Sequence, residues 1–351
     1  MTVPPKNPAR VLVVDDSAFA RKVLRESLAT SPIIEVVGTA RDGIDALEKI
    51  TVLKPDVITL DLVMPNLDGL GVLAALSPED RARVVVVSMA DGESDIGVAA
   101  LQSGVFDLVH KPTALAVASL QDIAEELVEK VLSAANSARP LRHLPAPLDP
   151  PVTQPNARVH RPASERVVLI GTSTGGPQAL TRLLKSLPAN FPAPLVLVLH
   201  IPPGYTGPLA ERLNAECAID VAEAYEGLAL RPGLAILARA GMHLRVAGSG
   251  NALTVLLDSE PHESTHRPSV NVLFESAARV LGKRALGVVL TGMGDDGLIG
   301  ARAIVEAGGQ VLTEAESSCV VYGMPRVVTE AGLSAAEVPL ERMLAEIDLR
   351  L

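Results

Sequence analysis

A serine between glycines is the residue best placed for covalent chemistry in this chain. Ser173 lies in Gly171-Thr172-Ser173-Thr174-Gly175, after the apolar run Val167–Ile170 and before Pro177, where a helix is expected to begin. The pattern fits the G-x-S-x-G elbow, a tight strand-to-helix turn that exposes a serine hydroxyl. Amide dipoles at the helix N-terminus favour negative charge nearby. The segment therefore predicts a nucleophilic serine.

Glycine-rich loops that bind phosphate are the main alternative for this segment. The P-loop pattern requires a lysine that is absent here. The G-x-G-x-x-G pattern requires a glycine where Ser173 stands. A plain Gly/Ser turn without chemistry is the remaining interpretation.

A serine nucleophile needs a base, and the base needs an orienting acid. His200 follows the apolar run Leu195–Leu199, so it is expected at the carboxyl end of a strand, as Ser173 is. His266 is the best competitor, but it lies in the loop-like segment Thr265-His266-Arg267-Pro268-Ser269. We therefore expect His200 to be the base.

The acid is expected at the end of a third strand. The run Leu286–Leu290 leads into Thr291-Gly292-Met293-Gly294-Asp295-Asp296-Gly297, whose glycines free backbone amides for an oxyanion hole. A tight turn with Asp as a helix cap is the alternative. The residues alone leave both Asp295 and Asp296 open. The order Ser, His, Asp differs from that of the α/β-hydrolases and implies a different ancestry.

A second group of chemical residues lies in the first half of the chain. Asp15 and Asp16 follow one predicted strand, and Asp61, Ser88 and Lys111 each follow another. Strand ends of an open parallel sheet converge on one crevice, where three carboxylates would favour a hard divalent cation such as Mg²⁺. Asp61 would then be a nucleophile towards a phosphoryl group contacted by Lys111 and Ser88. The alternative is that all five are strand-end caps and turn formers.

Both groups require parallel sheets to position them. In the first part, short apolar strands alternate with amphipathic helices, which predicts a doubly wound parallel sheet. The predicted strands are Val11–Val14, Ile34–Gly38, Val57–Leu60, Val84–Val87 and Phe106–Val109, and the predicted helices include Ala18–Ala29, Gly43–Thr51 and a last one at about Leu115–Ala135.

The second part repeats this alternation. Its predicted strands are Arg166–Ile170, Leu195–Leu199, Leu234–Leu237, Leu286–Leu290 and Gln310–Leu312, its helices are Pro177–Ser186, Val270–Val280 and Asp296–Ala307, and a hairpin joins His243–Val246 to Leu253–Leu257. Between the two parts, Ser137–Ser164 is rich in proline and arginine, which is typical of a stiff linker. We therefore predict an α/β protein with domains at 1–136 and 165–351 and a linker at 137–164.

Composition limits the class of protein. The 351 residues carry a net charge of −10, which argues against nucleic acid as the main partner. Neither a signal-peptide core nor a run long enough for a membrane span is found, which predicts no membrane insertion. Cys217 and Cys319 are far apart and lack metal-ligand spacing, which fits a reduced cytoplasmic setting.

The first domain resembles the receiver domain of response regulators. The resemblance covers about residues 9–130 and rests on Val13–Ser17, on Leu60–Pro65 with Asp68-Gly69, and on His110-Lys111-Pro112. It implies a flavodoxin-like fold in which Asp61 accepts phosphate from a partner histidine kinase and Asp15 and Asp16 bind Mg²⁺. Leu108 stands where many such domains have an aromatic residue. The resemblance therefore does not imply, for this chain, a switch that depends on the rotamer of an aromatic side chain at that position.

The second domain, joined to a receiver, resembles the chemotaxis protein-glutamate methylesterase family (CheB). The matching segments are Gly171–Pro177, His200-Ile201-Pro202, His266–Ser269, Thr291–Gly297 and Ser318–Pro325. The resemblance implies a Rossmann-like three-layer domain with Ser173 as nucleophile, His200 as base, Asp296 as acid, and the Met293 and Thr174 amides as oxyanion donors.

The same resemblance implies a function. The substrates would be methylated glutamates and certain glutamines of chemoreceptors, the phosphodonor would be a chemotaxis-type kinase, and the esterase reaction would need no cofactor. The receiver is expected to lie across the catalytic cleft until it is phosphorylated. Two other hypotheses are a phosphorylation-gated binding protein with an inactive hydrolase-like domain and a serine hydrolase acting on small esters.

Overall fold

The computed structural model describes residues 8–77, 82–89, 94–111, 120–137, 163–262 and 264–351. The chain divides into two compact units, Met1–Leu144 and Pro145–Leu351. Residues 138–162 of the predicted linker lie outside the described residues. The exact domain boundaries therefore stay predictions.

The first unit is built on a parallel sheet of five strands in the order β2-β1-β3-β4-β5. Its strands are β1 (Ala9–Val14), β2 (Ile34–Ala40), β3 (Val57–Leu60), β4 (Arg83–Ser88) and β5 (Asp107–His110). Its helices are α1 (Ala18–Leu28), α2 (Gly43–Leu53), α3 (Gly69–Ala75), α4 (Ser94–Gln102) and α5 (Leu120–Asn136). The predicted doubly wound α/β fold is confirmed.

Two helices of this unit, α3 and α4, are not among the helices named from the sequence. Helix α3 has seven residues and contains Gly69 and Gly71, which have poor helix propensity. It forms because the Asp68 side chain caps it, accepting a hydrogen bond of 2.7 Å from the Gly71 amide. The start of α5 was predicted at Leu115, in a segment outside the described residues, and the described helix begins at Leu120.

The second unit is built on a parallel sheet of seven strands in the order β14-β13-β12-β6-β7-β9-β8, with a separate antiparallel hairpin, β10-β11. Its strands are β6 (Val167–Thr172), β7 (Leu195–Leu199), β8 (Asp220–Glu223), β9 (Leu234–Leu237), β10 (His243–Ser249), β11 (Ala252–Asp258), β12 (Ala285–Val289), β13 (Gln310–Glu314) and β14 (Ala336–Val338). Its helices are α6 (Gly176–Ser186), α7 (Thr206–Glu216), α8 (Val270–Leu281), α9 (Leu298–Glu306), α10 (Met324–Glu330) and α11 (Leu340–Asp348).

One hydrophobic core joins the sheet, the hairpin and α8. Val167 and Leu169 alternate along β6 and pack in the same cluster as Val255 of the hairpin and Phe274 of α8. The central strands β6, β7 and β12 are buried along their whole length. Strands buried on both faces are continuous apolar runs, which explains why the sequence predicts them well.

The helix predicted at Asp296–Ala307 begins two residues later in the structure than in the prediction. The helix α9 starts at Leu298, and Gly297 before it has a φ of +111°, which is a left-handed conformation. Asp296 therefore lies in the turn rather than in the helix. Among the described residues, no helix is both long and apolar enough to span a membrane.

Candidate active site and phosphoacceptor site

Three neighbouring strands bring the predicted catalytic segments to one edge of the second sheet. The central strand β6 pairs with β12 on one side and with β7 on the other. The His200 amide donates to the Thr172 carbonyl at 3.1 Å, and the Leu290 amide donates to the Gly171 carbonyl at 2.9 Å. Because neighbouring strands lie about 4.8 Å apart, the loops that follow β6, β7 and β12 leave the sheet side by side.

The segment after β6 forms a strand, a tight turn and a helix in the order expected of an elbow. Ser173 is half-buried in the turn, where its carbonyl accepts a 2.7 Å hydrogen bond from the Gly176 amide. Gly175 has a φ of +77°, and a Cβ there would lie only 2.6 Å from the Cβ of Val320. Only glycine fits both the left-handed backbone and the close neighbour.

His200 and Asp296 form a direct pair. The Nε2 atom of His200 lies 2.9 Å from Oδ2 of Asp296. Asp296 Oδ1 also accepts from the Ser269 hydroxyl at 2.9 Å and from the Asn271 amide at 2.9 Å, and Oδ2 accepts from the Val270 amide at 2.7 Å. The carboxylate therefore lies at the N-terminus of α8, where backbone amides and the helix dipole favour a negative charge.

These contacts fix the charge of Asp296. Burial opposes the ionised form, but the hydrogen bond and charge of His200 and the amides of Asn271 and Val270 outweigh it and lower the pKa of Asp296 to about 2. An ionised carboxylate can only accept hydrogen bonds, so Nε2 of His200 carries a proton, and in the neutral imidazole Nδ1 is then the acceptor. That Nδ1 atom is buried and has no hydrogen-bond partner among the described residues.

The competing histidine also lies in this site. The ring of His266 stacks on that of His200 with centroids 4.1 Å apart and an interplanar angle of 17°. His266 contacts the base face to face, whereas Asp296 contacts its edge. Asp295, the other acid that the sequence left open, is exposed, and its neighbour Asp296 is the one that contacts His200.

The structure joins two of the three predicted triad residues directly. Within the described residues the Ser173 hydroxyl makes no hydrogen bond to His200 or Asp296, although its strand end adjoins that of His200. The backbone around the predicted oxyanion donors is well fixed. The Gly292 carbonyl accepts from the amides of Gly323 and Met324 at 3.1 and 2.9 Å, and a Cβ on Gly292 would lie 2.9 Å from that of Ser173. The neighbouring Met293 amide thus follows a backbone that touches Ser173.

The first unit holds the predicted acidic cluster at the carboxyl edge of its own sheet. Asp15, Asp16 and Asp61 each offer a carboxylate oxygen, and the three oxygens lie within 4.8 Å of one another. Asp15 and Asp61 are buried, whereas Asp16 is exposed. A compact set of hard oxygen donors with one open side is what a partly hydrated Mg²⁺ ion binds. The residues present therefore fit a magnesium site.

The predicted phosphoryl contacts lie beside this cluster. Lys111 Nζ is 2.6 Å from Asp61 Oδ2 and 3.0 Å from Asp15 Oδ2, and Ser88 is fully buried at the end of β4. Burial raises the pKa of Asp61 to about 6 even though Lys111 opposes the shift. Burial alone would lower the pKa of Lys111, but its bonds to Asp61 and Asp15 outweigh burial and raise it. Pro112, which completes the motif, lies outside the described residues.

Two family models match this chain, one in each unit. Residues 168–347 match the family model described as CheB methylesterase, and residues 11–122 match the response regulator receiver domain. The chain belongs to the CheB methylesterase family. Both resemblances predicted from the sequence are therefore confirmed.

Relatives of this CheB-family chain match it over nearly its whole length. Protein-glutamate methylesterase/protein-glutamine glutaminase 5 of Myxococcus xanthus is 61% identical over 340 residues, which cover 97% of each chain. Protein-glutamate methylesterase/protein-glutamine glutaminase 2 of Methanosarcina acetivorans is 43% identical over 350 residues, covering 96% of this chain and 98% of its own. The crystal structure of the CheB methylesterase catalytic domain of Thermotoga maritima is 37% identical with a TM-score of 0.51, covering 52% of this chain and 97% of that one.

Several residues of the CheB-type site were not found from the sequence. Ser269 could have been, because it precedes an amphipathic helix as a good N-cap residue, and it also donates to Asp296. Asn271 gave no such signal, yet its side chain accepts from the amides of Gly297 and Gly300 at 2.9 and 2.8 Å. Asn271 thereby ties the loop that carries Asp296 to the start of α8.

Proposed function

We propose that this CheB-family protein is a phosphorylation-activated, cytoplasmic hydrolase that removes methyl esters from glutamates of chemoreceptors and deamidates certain receptor glutamines. The observation that supports it best is the His200–Asp296 pair, in which the acid contacts Nε2 and the buried Nδ1 of His200 has no hydrogen-bond partner within the part of the chain that the structure describes. That arrangement prepares a base at the sheet edge where Ser173 leaves β6. The names of the relatives agree with the activity.

In the proposed reaction, Ser173 is the nucleophile. Its oxygen attacks the γ-carbonyl carbon while His200 Nδ1 takes the hydroxyl proton, and Asp296 stabilises the imidazolium through Nε2. The amides of Met293 and Thr174 hold the oxyanion of the tetrahedral intermediate. The leaving methanol or ammonia takes the proton from His200. Water then attacks the acyl-enzyme with His200 as base and releases glutamate and free Ser173.

The receiver unit supplies the proposed control. Asp61 attacks the phosphorus of a kinase phosphohistidine, and Lys111 and Ser88 contact the transferred phosphoryl oxygens. Asp15, Asp16 and Asp61 would hold Mg²⁺, which when bound neutralises the negative charge that builds up on the phosphoryl group. The half-buried Lys111 adds a second positive charge, with its Nζ 2.6 Å from Oδ2 of Asp61.

The direct test is methanol release from membranes that contain methylated chemoreceptors, with and without a small phosphodonor. We expect release to require the Ser173 hydroxyl and to rise on phosphorylation. The Ser173→Ala variant should lose release, because Thr172 and Thr174, the other hydroxyl residues of the elbow, are buried. It should still be phosphorylated on Asp61. Full methanol release from that variant would remove Ser173 from its role.

The same assay separates the alternative functions. A small-ester hydrolase would cleave a chromogenic ester but release no methanol from receptors. A binding protein with an inactive hydrolase domain would bind receptors in a phosphorylation-dependent way and cleave neither substrate.

A further inference from the structure

Thr291 forms hydrogen bonds with two loops of the candidate active site, the Ser173 elbow and the loop that contains Val320 and Val321. Its carbonyl accepts from the Thr172 hydroxyl at 2.7 Å and from the Ser173 amide at 3.1 Å. Its hydroxyl donates to the Thr174 carbonyl at 2.9 Å and accepts from the amides of Val320 and Val321 at 3.1 and 3.0 Å. Thr291 therefore contacts both sides of the elbow, and it lies two residues before Met293.

Thr291 is itself held by a buried carboxyl group. Glu314, at the end of β13, is completely buried, and its Oε2 accepts the Thr291 amide at 2.8 Å. Strand β12 ends at Val289, so the sheet ladder supplies no acceptor for the Thr291 amide. Glu314 supplies the acceptor for the Thr291 amide instead.

The second oxygen of Glu314 is also fixed. Oε1 lies 2.8 Å from the Ser318 hydroxyl oxygen, which in turn accepts the Leu340 amide at 3.0 Å and lies 3.2 Å from the Ala315 carbonyl. A neutral carboxyl satisfies this chain of contacts: Oε1–H donates to Ser318, and Ser318 donates to Ala315. Burial raises the pKa of Glu314, which agrees with the neutral form.

We propose that Glu314 is a positioning residue for the esterase reaction. It acts through Thr291 to fix the position of the Ser173 elbow relative to the turn that contains Met293. This inference rests on the proposed function. Among the described residues the Glu314 carboxyl is hydrogen-bonded to Thr291 and Ser318 and not to His200, so the proposed effect is geometric. Without it the buried Thr291 amide has no acceptor, which is costly in a dry interior. A displacement of about 1 Å between nucleophile and oxyanion donors is enough to slow a reaction about 100-fold.

The nature of the contact predicts which substitutions are tolerated. In Glu314→Gln the amide oxygen still accepts from Thr291, and the amide nitrogen donates to Ser318 as the neutral acid does. In Glu314→Leu the volume is similar but both hydrogen bonds are lost. We therefore expect Gln to rescue the function that Leu removes.

The experiment measures kcat and KM for methanol release with the full-length chain, a phosphodonor and methylated receptor membranes. We expect Glu314→Leu to lower kcat about 100-fold with KM within about twofold of wild type. Glu314→Gln should stay within about threefold of the wild-type kcat. The matched control is Ile347→Ala, a cavity in the buried face of α11, which should lower thermal stability and leave kcat unchanged.

A second variant tests the proposal if Glu314→Leu does not fold. Ser318→Ala removes the partner of Oε1 and leaves the hydrogen bond from the Thr291 amide to Oε2 in place; it also removes the acceptor of the Leu340 amide. We expect it to lower kcat about fivefold and to slow the labelling of Ser173 by a fluorophosphonate in proportion. An unchanged kcat in the folded Leu variant, or in Ser318→Ala when Leu does not fold, would overturn the proposal. So would a Gln variant as slow as Leu. Wild-type protein that releases no methanol would instead contradict the proposed function, and the labelling rates would still test Glu314.

Discussion

At the scale of single residues, Asp296 is the best-defined group of the candidate site. Two adjacent aspartates follow the same glycine-rich turn, and only their environments separate them. Asp295 is exposed, whereas Asp296 is buried and accepts hydrogen bonds from Ser269, Val270 and Asn271 as well as pairing with His200. Asp296 therefore contacts both the first turn of α8 and the imidazole of His200, which supports its proposed role as the orienting acid.

The pKa of Asp296 predicts a dependence of stability on pH. Its folded pKa of about 2 lies below the ordinary value of 3.8, so the ionised form stabilises the fold above pH 4. That contribution declines as pH falls through about 2. The shift corresponds to roughly 2 kcal/mol near pH 5 and roughly 1 kcal/mol at pH 3. We expect Asp296→Asn to lose this contribution, so urea unfolding should show a larger gap from wild type at pH 5 than at pH 3.

A control for that experiment is Asp295→Asn, which removes the exposed neighbouring charge. We expect its free energy of unfolding to follow wild type at both pH values. A gap between wild type and Asp296→Asn that is equal at pH 5 and pH 3 would contradict the lowered pKa.

Residue types at strand ends could be predicted from the sequence, but their orientation could not. Ser173, His200 and Asp296 each follow an apolar run, and parallel strands bring such ends together. Which imidazole nitrogen faces the acid depends on the path of α8, and the stacking of His266 depends on a loop that has no periodic pattern. Glu314 was missed because a charged residue at the end of a short strand is expected to face solvent.

At the scale of elements, burial decides which strands the sequence reveals. The central strands β6, β7, β9 and β12 are continuous apolar runs and were predicted. The edge strands β8 and β14 were not, because Asp220–Glu223 and Ala336–Val338 mix polar residues with only one or two apolar ones. The site uses only central strands, so these omissions did not affect its prediction.

The elbow between β6 and α6 gives a prediction at this scale. A methyl group on Gly175 would meet Val320 at 2.6 Å in a left-handed backbone, so Gly175→Ala must displace either the elbow or the 320–323 loop. We expect this variant to lose most methanol release and to be less stable than wild type. Gly227 has nearly the same φ, +78°, and no atom of the described residues lies within 4 Å of its Cβ position.

Gly227→Ala is therefore a matched control, since it has the same backbone strain without the steric contact. We expect it to cost about 1 kcal/mol of stability and to keep wild-type kcat. Thermal unfolding and methanol release should be measured for both variants. Equal kcat in the two variants would show that the contact with Val320 does not position Ser173.

At the scale of the whole molecule, the two units share one type of architecture, a parallel sheet with helices. Each unit has a parallel sheet with its candidate site at the carboxyl ends of the strands, Asp61 with its acidic neighbours in one and Ser173, His200 and Asp296 in the other. The two activities can therefore be separated by mutation. What joins them is the proposed control of the second site by the phosphorylation state of the first.

Control of this kind is a shift between an inhibited and a competent population. If about 99% of the unphosphorylated chain is inhibited, the difference is roughly 3 kcal/mol, and removing the inhibitor raises activity up to about 100-fold. We expect residues 163–351 alone to release methanol without a phosphodonor, faster than the unphosphorylated full chain. The full chain should approach that rate once Asp61 is phosphorylated.

The matched variants for this prediction lie at opposite ends of β3. Asp61→Asn removes the phosphoacceptor at the carboxyl end and should abolish the response to the phosphodonor without lowering the basal rate. Asp56→Asn changes an exposed carboxylate at the amino end, which accepts the Arg10 amide at 2.9 Å, and should respond like wild type. A fragment slower than the unphosphorylated full chain would mean that the receiver activates the site by contact rather than inhibiting it, because removing an inhibitor cannot lower the rate.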